Sequence, residues 1–256
     1  MADLVNTFSW SFSAASDFEE CRRRRYWAKY AMWGGWKDDA TPVQKAAYRL
    51  TKMQSAFTML GTAAEIAVMH AIRRHQAGED LDAETLYQQA ARPFLNKAWK
   101  ESVSGQWREN PRKYYCLREH YYRELNGDDK GNLTQYITGQ TKLCMVNFVS
   151  SVLPRLANIK RDQEVPVNTV AMGDPESFDL DGIKVYAIPD YVWREGEILH
   201  IHDWKAGKVR PEHHDQITLY ALWAQRKKDI PPERVRLHLE YLSVNKLDDV
   251  PVTNAM

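Results

Sequence analysis

Long apolar runs, paired cysteines and an excess of one charge are all missing from this sequence of 256 residues. Its mean hydropathy is -0.59, and no uncharged apolar stretch is long enough to predict a membrane span. Three widely separated cysteines without a C-x-x-C pair argue against a zinc ribbon and against a disulfide framework. The first twelve residues lack the charged start and apolar stretch of a signal peptide, so a cytoplasmic protein is expected.

The charges nearly cancel, with 35 Lys and Arg residues against 34 Asp and Glu residues. Proteins that bind polyanions through their overall charge usually carry a clear positive excess, so any such binding must come from local placement of basic residues. The G-x-x-x-x-G-K-[ST] loop of ATP-binding proteins is also absent, and the chain is not expected to hydrolyse ATP by itself.

Helical periodicity dominates the first 160 or so residues, and strand patterns follow it. Helices are predicted over 13–33, from 41 to about 76, and over 82–91, 93–102, 111–125 and 133–153, with a loop at 126–132. Strands are predicted at 165–172, 183–190, 198–205 and 235–244, with a helix at 211–228. This order indicates an α/β fold in a single domain over 1–256, with a helical part at 1–160 and a sheet part at 161–256.

Acidic and basic side chains lie at the ends of two predicted strands. In a strand over 198–205, Asp203 and Lys205 point to the same face because side chains alternate. A hairpin turning at 194–197 would bring Asp190 beside Asp203. Two carboxylates next to a lysine suit Mg²⁺ or Mn²⁺ and an attacking water or phosphate oxygen. A surface ion pair is the alternative, but charges at the inner ends of apolar strands need a compensating partner such as a metal.

This arrangement resembles the PD-(D/E)XK nuclease superfamily, in the branch of the RecB nuclease domain and the related CRISPR-associated exonucleases. The segment 188–190 (I-P-D) is similar to the apolar-x-D motif, and 203–207 (D-W-K-A-G) is similar to D-x-K-T-G, with Ala206 in place of threonine. Gln216 and Tyr220 match a Q-x-x-x-Y signature about one helical turn apart. The resemblance implies a restriction-endonuclease-like core with a small mixed sheet flanked by helices and a large helical N-terminal portion.

Two upstream motifs extend the resemblance. Where the branch has G-x-x-x-H, this chain has Glu65, which the resemblance implies as a third oxygen ligand, with His70 as the fallback. The N-terminal S-x-S-x-x-x-x-F-x-x-C-x-R-x-x-Y pattern is matched over 11–26. Iron–sulfur members have three further cysteines after the D-x-K strand, but this chain has none after Cys144. No iron–sulfur cluster is expected, and Cys21 is interpreted as a free, buried thiol.

The resemblance also implies a role for each residue. The ligands of Mg²⁺ or Mn²⁺ would be Glu65, Asp190, Asp203 and the backbone carbonyl of Trp204. Lys205 would orient or deprotonate the attacking water, and Gln216 and Tyr220 would position the lysine or the scissile phosphate. The implied activity is that of a divalent-metal-dependent DNA exonuclease. A non-catalytic nucleic-acid-binding or assembly module of the same fold and a metal hydrolase of small phosphoesters are the alternatives.

A run of basic residues near the N-terminus is interleaved with aromatic ones. The expected phosphate-binding residues are Arg22, Arg23, Arg24 and Arg25, and the aromatic residues that follow are Tyr26, Trp27, Tyr30, Trp33 and Trp36. Exposed rings would stack on unpaired bases, which favours DNA with single-stranded character as the partner, although core packing is an equal alternative for the rings. The resemblance adds a helicase, an integrase or another DNA-processing protein as a partner, and no membrane.

Four histidines near the proposed site raise the question of a zinc centre. His200 and His202 are predicted to face away from Asp203 on their strand, and His213 and His214 are adjacent on a helix and therefore diverge. A histidine zinc centre is therefore disfavoured.

Overall fold

The structure is a computed structural model that describes residues 5–122, 127–169 and 173–252, without the side chains of 127 and 128. The helices are α1 (Phe12–Glu20), α2 (Arg22–Tyr26), α3 (Pro42–Thr51), α4 (Ala56–Gln76), α5 (Ala83–Leu86), α6 (Arg92–Ser104), α7 (Arg118–Tyr121), α8 (Gly127–Asn147), α9 (Leu153–Leu156) and α10 (Glu212–Lys228). The strands are β1 (Ser9–Ser11), β2 (Met53–Gln54), β3 (Cys116–Leu117), β4 (Ser177–Leu180), β5 (Ile183–Tyr186), β6 (Tyr191–Glu195), β7 (Ile198–Lys205), β8 (Val235–Tyr241) and β9 (Lys246–Val250). Over these described ranges, no helix is both long enough and apolar enough to cross a bilayer.

The two long helices predicted over 13–33 and 41–76 are each interrupted, so both predictions were wrong as continuous helices. Cys21 lies between α1 and α2 in an extended conformation, and its Sγ accepts a hydrogen bond from the Arg24 N–H at 3.4 Å. Strand β2 separates α3 from α4, and Ser55 then caps α4 by accepting from the Thr58 N–H. Each interruption places a side chain that can bond to the backbone at the start of the next helix.

The first turn of α4 is fixed by a buried carboxylate from a distant part of the chain. Both oxygens of Glu119 lie 3.1 Å from the backbone nitrogen of Ala56, which donates to them. A negative charge suits the positive end of a helix dipole, and the contact anchors α7 to α4. This explains why 111–122 forms a turn, β3 and the short α7 instead of the predicted helix, whose remaining residues 123–125 lie outside the described ranges.

The predicted loop at 126–132 was also wrong over 127–132, because α8 already begins at Gly127, and residue 126 lies outside the described ranges. The end predicted at Pro154 was wrong as well: the helical path continues through a π-helical segment, Phe148–Val152, into α9, which contains that proline in its first turn. Helix α8 packs on α4, where small buried residues allow a close approach. Those residues are Ala56, Ala63, Ala64, Ala67 and Ala71.

The strands form a three-stranded sheet in the order β1-β5-β4, a four-stranded sheet in the order β6-β7-β8-β9, and a small β2-β3 pair. The predicted strand at 165–172 was wrong over 165–169, which forms no strand, although the Val165 N–H donates to the Val192 carbonyl of β6 at 2.9 Å. Residues 170–172 lie outside the described ranges. The predicted strand over 183–190 ends at Tyr186, and β4, β6 and β9 were not predicted.

The four-stranded sheet divides the protein into two hydrophobic cores. Strands β7 and β8 are parallel and connected through α10, whereas β6 and β9 pair antiparallel at the two edges. Leu199 and Ile201 face the core that contains α10, and Trp204 belongs to the core formed with the long helices. The α/β class with a small mixed sheet is therefore confirmed. By alternation, Asp203 and Lys205 lie on the α10 side.

Candidate active site

A tight hairpin places the two aspartates together. Strands β6 and β7 are joined through Gly196 and Glu197, and Gly196 adopts the left-handed region with φ of 57°. Tyr191 is paired with His202, so Asp190 precedes β6 directly opposite Asp203. Oδ2 of Asp190 accepts a hydrogen bond from the Trp204 backbone N–H at 2.7 Å. The hairpin expected from the sequence is present, with Asp190 before its own strand and not at the end of the preceding one.

The Trp204 carbonyl lies toward the same edge as this contact. In an antiparallel pair, the N–H and C=O of one residue point to the same neighbouring strand. Because the Trp204 N–H bonds to Asp190, which directly precedes β6, its carbonyl also points to the β6 side of β7. The next residue bonds the other way: the Lys205 carbonyl accepts from the Leu242 N–H at 2.8 Å. A backbone oxygen is thus available beside the two carboxylates.

Lys205 is held between β7 and α10. Its Nζ lies 2.5 Å from Oδ2 of Asp203 and donates to Oε1 of Gln216 at 2.8 Å. The amide nitrogen of Gln216 in turn donates to the Tyr220 hydroxyl at 3.2 Å. Gln216 and Tyr220 can both reach the strand because they are four residues apart on one face of α10. The side chains of the D-x-K and Q-x-x-x-Y motifs therefore form one connected network.

The Tyr220 hydroxyl links this network to the segment that carries Asp190. It lies 3.1 Å from the Ile188 carbonyl and 3.3 Å from Oδ1 of Asp203, and it can donate its single proton to either oxygen. Burial and the charges of Asp203 and Asp190 raise the pKa of Tyr220 well above its usual value. The phenol therefore remains a donor at neutral pH and stabilises the position of Asp203.

Three carboxylates influence one another at this site. Burial raises the pKa of Asp190 well above its usual value, with further contributions from Asp203 and Glu65, and Lys205 opposes the shift. The pKa of Glu65 is also raised, first by the surrounding protein and then by the charge of Asp203, although its side chain keeps contact with solvent. Unfavourable carboxylate interactions of this kind are relieved when a cation binds among them.

The two candidate ligands on α4 have different surroundings. Glu65 interacts electrostatically with both aspartates, whereas His70 lies five residues further along, about 140° around the helix. Nε2 of His70 is buried without a hydrogen-bond partner. Residues that far apart around a helix cannot both point at the same site, and the charge interactions with the aspartates favour Glu65.

The oxygen donors of this site are of the chemical type that a hard divalent cation prefers, but they do not surround a common point. Oδ2 of Asp203 is buried and, apart from its ion pair, accepts no well-aligned hydrogen bond. Carboxylate and carbonyl oxygens are the ligands that Mg²⁺ and Mn²⁺ prefer. Within 5–122, 127–169 and 173–252, no three His, Cys, Asp or Glu side chains are grouped closely enough to hold an ion as they stand. Glu65 would have to move toward the aspartates to complete the set.

The histidines on the other face of β7 are part of the structure and not of the site. Trp193 Nε1 donates to Nε2 of His202 at 3.0 Å, so this nitrogen carries no proton, and Nδ1 of His202 donates to the buried Glu240 at 2.8 Å. Burial lowers the pKa of His202 to about 3 and raises that of Glu240 well above its usual value. His213 and His214 diverge as predicted, toward Tyr241 and Asp248 respectively.

The histidines on this face make the stability of the protein depend on pH. We expect the free energy of unfolding to fall as the pH drops from about 6.5 to about 4. His200 and His238 share a 2.9 Å hydrogen bond, and burial followed by the neighbouring imidazoles lowers the pKa of each to about 4. Unfolding restores a histidine pKa near 6.5, so the unfolded chain binds more protons than the folded protein between about pH 4 and pH 6.5. Each histidine adds a slope of up to about 1.4 kcal/mol per pH unit.

The measurement is urea unfolding at several pH values between about 4.5 and 7, for the wild type and a double His200→Gln, His238→Gln variant. The comparison cancels the contributions of Glu195 and Arg155, which also face these histidines, and of Glu240, whose raised pKa acts in the opposite sense. Asp249 loses its contact with His238 in the variant, but despite burial its hydrogen bonds hold its pKa below the usual value and therefore below this pH window. The wild type should show the steeper loss toward acid. Parallel profiles would show that the two imidazoles do not titrate as described.

The N-terminal basic segment lies largely at the surface, and its arginines differ in the contacts that they form. Arg24 forms ion pairs with Asp17 at 2.8 Å and Glu20 at 2.5 Å, so its charge is already compensated. Arg22 lies over the Phe18 ring. Helix α2 and the π-helical segment after it, Trp27–Ala31, contain no buried residue, which argues against the core-packing interpretation of their aromatic residues. The buried thiol expected at position 21 was also wrong, because Cys21 is exposed.

The fold and this network together define a class of protein, that of restriction-endonuclease-like α/β proteins with paired acids and a lysine at the edge of a mixed sheet. The sequence profile of the PD-(D/E)XK nuclease superfamily matches residues 9–256. The chain belongs to the PD-(D/E)XK nuclease superfamily, whose members are generally nucleases and typically use divalent metals. Among curated proteins, no sequence matches this chain.

Proposed function

We propose that this protein is a Mg²⁺- or Mn²⁺-dependent DNA exonuclease of the RecB-like branch, acting as a single nuclease domain over residues 1–256. The observation that carries the proposal is the network in which Asp203, Lys205 and Gln216 are fixed beside Asp190. Superfamily membership supports hydrolysis of phosphodiester bonds in nucleic acid. The metal, the DNA specificity and the exonuclease mode are the parts that experiment must test.

Lys205 is placed to act on the reacting phosphate. An ammonium group has three N–H donors. One of those of Lys205 donates to Gln216, and the charge of the group forms an ion pair with Asp203. A remaining N–H can donate to a phosphate oxygen or to the attacking water, where a fixed positive charge offsets the negative charge that grows in the transition state. Gln216 and Tyr220 act as positioning residues, because they hold the lysine and Asp203 in place before substrate arrives.

Asp190, Asp203, Glu65 and the carbonyl of Trp204 would hold the cation. When bound, a divalent cation supplies Lewis-acid polarisation of the phosphate and lowers the pKa of a coordinated water. The reaction is hydrolysis: the water oxygen forms a bond to phosphorus, the bond from phosphorus to the leaving oxygen breaks with its electron pair, and that oxygen takes up a proton. Around these atoms, the buried face of α10 limits the access of other water to Asp203 and Lys205.

DNA with single-stranded character is the proposed substrate. The exposed Arg22 and Arg23 and the half-buried Arg25 can neutralise phosphates, and nearby exposed rings can stack on unpaired bases. Arg24 contributes less, because its guanidinium is already paired with two carboxylates. We further propose cooperation with a helicase, an integrase or another DNA-processing protein in the cytoplasm, since a near-neutral chain binds free DNA only modestly.

The test is digestion of end-labelled DNA, single-stranded and duplex, linear and circular, with Mg²⁺, with Mn²⁺ or with EDTA. We expect cleavage of linear single strands with either metal, none with EDTA, and survival of circular molecules. Degradation of circles would overturn the exonuclease assignment and leave a nuclease. Absence of any metal-dependent cleavage, together with retained DNA binding, would instead favour the non-catalytic module.

A further inference from the structure

A basic cleft lies apart from the catalytic network. It has a volume of about 720 Å³ and is formed by residues around α3, the turn at 108–112, and 173–175 just before β4. Six cationic residues line it, namely Lys37, Lys45, Arg49, Lys52, Arg108 and Arg112, against two acidic ones, Asp38 and Glu109. In a chain whose charges otherwise nearly cancel, this is a concentrated positive surface.

Cations of the cleft lie close enough together to influence one another. Lys52 lies over the Tyr48 ring, and burial together with the charge of Arg112 lowers its pKa. Arg49 and Arg112 are both exposed, and they come from different segments that meet only in the fold. Like charges brought together in this way repel each other, and binding of a phosphate relieves the repulsion.

An aromatic ring lies at the same cleft. Trp36 is 38% exposed, and it is held by edge contacts to Trp33 at 5.0 Å and to Tyr48 at 5.7 Å between ring centroids. A rigid, partly exposed indole beside several cations is suited to stacking on an unpaired base, because guanidinium and ammonium groups can bind the adjoining phosphates. A duplex would keep its bases stacked on each other and offer Trp36 no free face.

Two of the segments that form the cleft continue into the catalytic elements. After Lys52 the chain passes through β2 into α4, where Glu65 lies about 14 Å from the start of the helix. After Pro175 it forms the β4–β5 hairpin and then the segment that ends at Asp190. A strand bound in the cleft would therefore lie on elements that are covalently continuous with those of the active site.

We propose that this cleft is a binding subsite for single-stranded DNA, in which Arg49 and Arg112 bind the phosphates and Trp36 stacks on a base. The inference rests on the proposed nuclease function for its biological role, because the cleft would hold the part of the substrate strand away from the bond being cut. Binding itself does not depend on catalysis and can be measured separately.

The experiment measures binding of a labelled single strand of about 20 nucleotides by fluorescence anisotropy, with EDTA present and at several salt concentrations. We expect Arg49→Glu with Arg112→Glu to weaken binding at least about tenfold and to make the salt dependence less steep, since two phosphate contacts are lost. Trp36→Leu should weaken binding of the single strand by about tenfold and leave duplex binding unchanged. The matched control is Lys100→Glu with Arg226→Glu, the same charge change at exposed positions outside the cleft, with an expected effect below about twofold.

Equal losses of affinity in the cleft variant and in the control would show that binding depends only on overall charge, and would overturn the proposal. Displacement of the strand by a mononucleotide at low concentration would also overturn it, in favour of a nucleotide pocket. In cleavage assays with metal, the cleft variant should raise KM for DNA and leave turnover of a small chromogenic phosphodiester unchanged. If the wild type cleaves neither substrate, the proposed nuclease function is wrong. The binding measurement still tests whether the cleft binds single-stranded DNA.

Discussion

Replacement of Lys205 by alanine is expected to lower metal-dependent DNA cleavage by about 10²–10³-fold, the usual effect of losing a preorganised charge at a transition state. The fold should survive, because Lys205 is partly exposed and lies at the end of β7. Metal binding should also survive, since an ammonium group donates no lone pair. Mn²⁺ should therefore still raise the melting temperature of this variant.

Asp203→Asn distinguishes the role of Lys205 in cleavage from the role of Asp203 in metal binding. It keeps the size of the side chain and removes the charge that faces Lys205, so both cleavage and the Mn²⁺-induced rise in melting temperature should be lost. Lys208→Ala, which changes an exposed lysine three residues beyond Lys205, is the matched control and should cleave within about threefold of the wild type. If Lys205→Ala and Asp203→Asn both retained cleavage, the proposed site would be wrong.

Glu65→Gln is expected to weaken Mn²⁺ binding and to lower cleavage on the order of 10²-fold, because a charged oxygen ligand is worth several kcal/mol of transition-state stabilisation. The amide keeps the shape and removes the charge that raises the pKa of Asp190. Titration calorimetry with Mn²⁺ and the linear single-strand assay provide the two measurements.

His70→Gln is the companion variant, because it alters the fallback ligand on the same helix. With Glu65 as the ligand, this variant should bind Mn²⁺ and cleave DNA within about threefold of the wild type. The reverse pattern, a large loss at His70 and none at Glu65, would assign the ligand to the histidine. The two variants therefore decide between alternatives that the motif alone left open.

The D-x-K pair, the helix with Gln216 and Tyr220, and the approach of Asp190 to Asp203 could be predicted from the sequence because they depend on local periodicity. Alternation along β7 places Asp203 and Lys205 on one face, and a two-residue hairpin fixes the register with β6. The Gln216 and Tyr220 side chains share a helical face by spacing alone. These relations span few residues, so nearby sequence determines them.

Other features depend on contacts between distant segments, and nearby sequence does not reveal them. The break between α3 and α4 contains β2, which pairs with the distant β3, and Glu119 binds the start of α4 from 63 positions away. The basic cleft combines α3 with 108–112 and 173–175. One signal for it was present: Lys45, Arg49 and Lys52 follow the three-and-four spacing of a single helix face. The partners that complete that face could be identified only from the fold.

Because the four-stranded sheet lies between two cores, the residues on its two sides can be altered separately. Asp203, Lys205, Gln216 and Tyr220 all belong to the 198–220 segment and lie on the α10 side, whereas the long helices contact the sheet through Tyr191 and Trp204 on the other side. Substitutions in the helices that face this other side can therefore leave those four side chains in place. Such substitutions would need to keep a matching apolar surface and one carboxylate at the position of Glu65. Substrate choice and partner choice could then change while the hydrolytic chemistry stays the same.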